Sequence, residues 1–138
     1  MLSDPNEEDT KRLAEQWLVA FELVKRHSGV ELDQSLADLD RIHAVLELEV
    51  LAPTDSYELQ CLGIALGCVL AHNVPGLDWA IVDDESGRDP TIRYRKTTLL
   101  INVLTQISKR IENGERVDVR RLYDLNVENV SRHGPKVD

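Results

Sequence analysis

The sequence predicts an α+β domain, mainly helical with about five helices, and with one β-hairpin placed after a buried central helix. Three observations carry this. Apolar residues recur at helical spacing along most of the chain. A nearly unbroken apolar run, Cys61 to Ala71, lies midway along it. After that run come LDWAIVDD, ESGR and TIRYR, two strand-like segments around turn chemistry. At 138 residues, with 42% hydrophobic and 30% charged, the chain has the balance of a single globular domain that buries a core without staples. Flexibility is expected only at residues 1–4 and 132–138.

Asp4-Pro5-Asn6-Glu7 reads as a helix start, with Asp4 as the cap and Pro5 in the first turn. Leu13, Trp17, Ala20, Phe21 and Val24 then recur at helical spacing until Ser28-Gly29. A second helix is expected from Asp33 to Glu49, with Leu36, Leu39, Ile42, Leu46 and Val50 as its buried stripe. Its other side carries Asp33, Ala37, Asp40, Ala44 and Glu47, an acidic strip with small spacers. Pro53 ends the segment, and Asp55 to Glu58 is a capping box that opens the third helix.

In that third helix the apolar residues surround the axis rather than striping it, so it is expected to be central. Gly63 and Gly67 leave a groove for a close neighbour. Asn73 to Gly76 breaks it, and the hairpin follows, with Pro90 at the start of the second strand. Thr97 or Thr98 is expected to cap a fourth helix carrying Leu100, Val103, Leu104, Ile107 and Ile111, closed by Asn113-Gly114. Asp118 starts a last helix through Leu122, Leu125 and Val130.

The apolar run falls well short of the roughly 20 residues that span a bilayer. The acidic start MLSDPNEED lacks the basic end and apolar core of a signal peptide. Cytoplasmic residence is therefore expected. Cys61 and Cys68 lie two turns apart on one helix, roughly 10 Å along its axis, too far for a disulfide between them. Reduced, buried thiols follow. The formal net charge of −9 falls entirely within residues 1–60, and the remainder balances. That distribution argues against a nucleic-acid ligand, which needs a basic face, and is compatible with a basic protein partner and equally with nothing beyond solubility.

No chemistry-bearing constellation emerges. His27, His43, His72 and His133 show no paired spacing and the cysteines form no C-x-x-C, so no metal or other cofactor is expected. Asp83-Asp84-Glu85 with Gly87 fails the calcium-loop pattern. Adjacent strand residues face opposite ways, so Asp83 and Asp84 make a poor acid–base pair. They read better as a hairpin tip, with Arg88, Arg93 or Arg95 pairing across the strands. Nucleophile-elbow and phosphate-loop patterns are absent. The acidic strip, Asp33, Asp40 and Glu47, reads either as a solvated helix face or as a docking surface for a basic partner; if it is a contact surface, Asp83, Asp84 and Glu85 form a second patch.

Across roughly residues 35 to 116 the chain resembles an uncharacterised bacterial family, a domain of unknown function. The resemblance rests on ELQCLGIALGCVLA, LDWAIVDDESGRDP and LTQISKRIENGE. That family often has an aromatic where Ser86 stands and Met where Gln106 stands, departures that bear on the hairpin tip and the fourth helix. The resemblance implies an α+β fold and bacterial origin, and supplies no activity or catalytic residue. By looser analogy, small acidic bacterial proteins of this build include immunity proteins of secreted toxins, type VI effectors among them. The expected function is a non-enzymatic protein-binding module, an immunity protein that occludes the active site of a basic toxin domain. The alternative is a small-molecule-binding domain or small enzyme, with a pocket between the hairpin and helix three walled by Trp79, Tyr94, Asp83 and Arg93. Either a monomer or a homodimer packed through the first helix would accommodate these readings.

Overall fold

The computed structural model describes residues 1–133. In order these are β1 (Leu2–Ser3), α1 (Glu7–Ser28), α2 (Ala37–Glu47), α3 (Ser56–Asn73), β2 (Leu77–Asp84), β3 (Gly87–Tyr94), β4 (Leu100–Ile101), α4 (Val103–Glu112) and α5 (Val119–His133). The strands form one antiparallel sheet in the order β1-β2-β3-β4. The chain is thus α+β and mainly helical, with the predicted hairpin at the centre of a larger sheet.

Between Glu58 and His72, α3 carries no charged side chain, and Leu59, Leu62, Ile64, Leu66, Val69 and Leu70 are all buried. Such a helix needs cover on every side. It receives α1, α2, α4 and α5 along with β2 and β3. The predicted groove at its glycines is filled. A Cβ on Gly63 would stand 2.5 Å from the Val103 carbonyl oxygen, and one on Gly67 would stand 2.5 Å from Trp79 Cη2. Both thiols remain free. Burial pushes Cys61 up to about 11 and Cys68 up to about 12, so neither is a thiolate at neutral pH.

Several boundaries differ from the sequence reading, each for a local reason. Within residues 1–4, where flexibility was expected, Leu2 and Ser3 pair with Val82 and Ile81 as β1. Of the other end expected to be flexible, Arg132 and His133 finish α5, and residues 134–138 lie outside the described residues. Asn6, not Asp4, caps α1, because Asp4 is drawn to Arg93 and Lys96. α2 begins four residues later than expected, at Ala37. Asp38, only 1% exposed, accepts the N–H groups of Asp33 and Gln34 and a bond from Arg41, which coils the leader instead of extending the helix. The buried face of α2 therefore runs through Asp38, Leu39, Ile42 and Val45, while Leu36 and Val50 are exposed.

Asp55 precedes α3 without a side-chain cap bond; its carboxylate accepts from Ala52 N–H at 2.7 Å. Thr97 and Thr98 do not cap a helix either. Thr97 closes a turn onto the Tyr94 carbonyl, and Leu100–Ile101 continue as β4, paired with Arg93 and Ile92. Pro90 sits inside β3 opposite Ile81 rather than at its start, in the part of the strand that β4 does not reach.

One guanidinium fastens the hairpin to α1. Asn6 and Asp9 form a reciprocal capping box, at 2.8 and 2.9 Å. Asp9, 2% exposed, also receives Arg88 Nη2 at 2.6 Å and Nε at 3.2 Å. Arg88 Nη1 reaches Asp83, its register partner, at 2.8 Å. The Arg88 bond first, and the Asn6 N–H second, hold the Asp9 carboxyl down at about 2.

Two outcomes follow. Gly63→Ala must push α4 off the α3 backbone, and the overpacking should cost about 1–3 kcal/mol, read as a lower urea midpoint at unchanged m-value. A carboxylate whose pKa is depressed by folding stabilises fully above its unfolded value and less as pH falls through its folded value. Acidification from 3.8 toward about 2 should therefore erode stability, and Asp9→Asn should flatten part of that decline in urea midpoints measured across the range.

Candidate functional site

All six sequence-predicted carboxylates are exposed, but they form two separate groups. α2 packs on α1, α3 and α5, whereas the hairpin tip closes on the first turn of α1. Within the tip, Asp83 is committed to Arg88, and Asp84 accepts Ser86 N–H at 2.8 Å. Glu85 stays exposed in the two-residue loop between the strands.

On α2 the expected strip exists, but it is not a bare acidic field. Asp33 lies ahead of the helix; the Ser35 hydroxyl and N–H, with the Arg41 charge behind them, lower it to about 2. Asp40 meets Arg120 of α5 at 3.3 Å, and Glu47 meets Arg116 at 2.6 Å. The Arg116 bond is the main cause of a lowered Glu47 pKa, with His43 adding to it. Arg116 and Arg120 lie more than sixty residues away in sequence, so no local pattern announced them. The one available signal was the basic run Arg116 to Arg121 beside the last helix start.

Beyond Glu47 the strip runs into a hollow of about 370 Å³ between the α2–α3 and α4–α5 connections. Leu46, Leu51, Leu59, Ile111 and Val117 line its apolar part. Glu47, Glu49, Glu115 and Arg116 also border it. Glu49 holds φ of +55° just past the end of α2, a position that favours glycine, and so carries a carboxylate where no side chain is the cheaper choice. Leu48 and Val50 stand exposed beside it. On the far side of the Glu47–Arg116 pair lies a second hollow lined by His43 and Asp118. His43 is satisfied there: Nδ1 accepts from Val119 N–H at 3.4 Å, and Nε2 lies 3.5 Å from Glu47.

The pocket expected between the hairpin and α3 is filled, because the Trp79 ring lies over Gly67. Trp79 and Arg93 instead line a hollow of about 250 Å³ at the start of β2, together with Arg95 and Lys96. Asp83 is absent from it, and Tyr94 contributes by supporting Arg95.

These elements define a small helical domain backed by a short antiparallel sheet, with surface hollows at the end of α2 and at the start of β2. Residues 38–123, from α2 into α5, match the family described as a domain of unknown function, DUF3806, and the chain belongs to that family. The fold is similar to that of a crystallised chain from Bacteroides thetaiotaomicron VPI-5482, at TM-score 0.86 and 17% identity. The likeness covers 94% of this chain and 47% of that one, so this chain spans about half the neighbour's length. At that identity it shows the fold alone. No curated protein matches.

The two aspartates of α2 that look alike in sequence should separate in a stability measurement. Removing Asp38 strips three partners of a buried acceptor, and Asp38→Ala should cost about 2–4 kcal/mol. Asp40→Ala removes an exposed pair and should stay within about 0.5 kcal/mol. Equal effects in chemical denaturation would refute this division.

Proposed function

We propose that this domain is a non-enzymatic protein-binding module whose docking surface is the groove at the end of α2. The observation that carries the reading is an apolar-floored groove bordered by three glutamates and continuous with the exposed face of α2. Its occupant is a basic segment of a partner protein that also offers an apolar side chain. The lysines or arginines would meet Glu49 and Glu115 while the apolar group covers Leu51 and Ile111. Charge of this sign raises encounter rates and selects against acidic partners. An immunity protein that covers the basic cleft of a toxin is one protein of this kind, and a small acidic domain suits that role. A cytoplasmic setting agrees with two free thiols. Among the described residues, no helix is long and apolar enough to cross a membrane.

The strip itself makes a poor test. Asp40→Lys with Glu47→Lys would set lysines against Arg120 and Arg116, changing those pairs along with the surface charge. Glu49→Lys with Glu115→Lys leaves those pairs in place. A short Lys- and Leu-rich peptide titrated into labelled protein should shift amide resonances at residues 46–53 and 111–117. The double variant should weaken binding about tenfold, or roughly 1.4 kcal/mol. Shifts confined to the hairpin tip, or an affinity untouched by the variant, would overturn the reading.

A further inference from the structure

In a chain of net charge −9, three cations meet at one place. Arg93, Arg95 and Lys96 line the hollow at the start of β2 with Gly76, Leu77, Trp79 and one acid, Asp78, whose carboxylate accepts the Trp79 N–H at 2.8 Å. The turn that puts them there is built against local preference. Thr97 N–H donates to the Tyr94 carbonyl at 2.9 Å, and the two residues between them, Arg95 and Lys96, hold φ of +48° and +61°. Consecutive left-handed residues in a tight turn favour Asn-Gly, because other L side chains crowd the backbone there. Here the two places go to long cationic side chains. A local rule broken in this way points to a use for the side chains.

The cations are also held in position. Arg95 N–H donates to the Gly76 carbonyl at 2.8 Å, its Nε donates to the Tyr94 hydroxyl at 2.9 Å, and its Cζ lies 5.3 Å from that ring's centroid. Gly76 makes room for this, since a Cβ there would stand 2.9 Å from Arg95 Nε. The Arg93 side chain, 12% exposed, donates to Asp4 Oδ1 at 3.0 Å, and Lys96 Nζ reaches the same oxygen. One carboxylate oxygen, on the segment between β1 and α1, thus bridges two of the three cations.

We propose that this hollow binds a small molecule through a phosphate or carboxylate group, and that Asp4 is its built-in competitor. Two planar guanidinium forks and an ammonium offer the donors that an oxyanion accepts. Trp79 supplies apolar wall for the carbon attached to it. A volume near 250 Å³ is the share of about eight liquid waters, enough for the oxyanion and a few further atoms. The ligand takes over the bonds of Asp4, whose side chain is 65% exposed and free to turn to solvent. No residue of this site belongs to the α2 groove, so the two readings stand or fall separately.

Calorimetric titration with inorganic phosphate, pyrophosphate and succinate, at constant ionic strength, tests the proposal on the full chain and two variants. Asp4→Asn removes the competitor and should tighten binding several-fold. Arg95→Asn with Lys96→Gly installs the pair the turn prefers; its melting temperature should hold or rise while binding is lost. The phosphate arms against the succinate arm decide which oxyanion the site takes. The site is refuted if the Asp4→Asn protein binds none of the three, or if the turn variant binds as the parent does. Equal affinity in the parent and Asp4→Asn proteins would refute the competitor role.

Discussion

Everything else in this fold is arranged around the seating of α4 on the α3 backbone at Gly63. With hydrogen as its only side chain, Gly63 admits the Val103 carbonyl to a distance no Cβ would allow. Close-packed interiors transmit such constraints, since neither helix can retreat without opening a void. Gly67 repeats the device one turn on, under the Trp79 ring and the Val103 side chain. The depth at which α4 sits therefore sets where the chain enters and leaves it. On the entry side that places the β3–β4 turn and its cations. On the exit side it carries Glu115 and Arg116 up to α2 and forms the groove.

Charge adds a second layer of order. The acidity of the first 60 residues looked like a field open to a partner. Part of it is paired within the molecule. Asp4, Asp9, Asp40 and Glu47 each take a cation from the second half of the chain: Arg93 and Lys96, Arg88, Arg120, and Arg116. Exposed pairs of this kind contribute little stability individually. Their effect is to match the two halves, acid against base, in one arrangement. Carboxylates outside these ion pairs, Glu49 at the groove and Glu85 at the hairpin tip among them, then carry the acidic character outward.

Sequence periodicity was most legible where one physical cause dominated. α3 was readable because its apolar run has no polar interruption, and the hairpin because turn chemistry separates two extended segments. The ends of α1 and α4 at glycine followed from the left-handed cap. Boundaries failed where a distant residue outbid the local signal. Asp4 has the chemistry of a cap, yet Arg93 and Lys96 hold it elsewhere. Asp38 belongs to neither the expected stripe nor the acidic strip, yet it is the buried acceptor that shapes the α2 leader. Leu100 fits a helical stripe, but β3 recruits it, with Ile101, into the sheet. The candidate sites were less legible still. Their acids were visible, whereas the arginines that neutralise them, and the strained turn that gathers Arg95 and Lys96, depend on pairings no local window contains.

β1 is only two residues long, yet it occupies an important position. An unpaired strand edge is a template on which another chain can add itself, and proteins blunt such edges with short strands, turned-away groups and charges. The outer rim of β2 is treated in this way. Leu2 and Ser3 cover Val82 and Ile81, the Met1 carbonyl accepts Asp83 N–H, and Asp78 folds its carboxylate onto the outward N–H of Trp79. Clipping those first residues would remove little of the core. It would expose the far half of an eight-residue strand, and the result would be a folded but self-associating protein, growing by sheet extension.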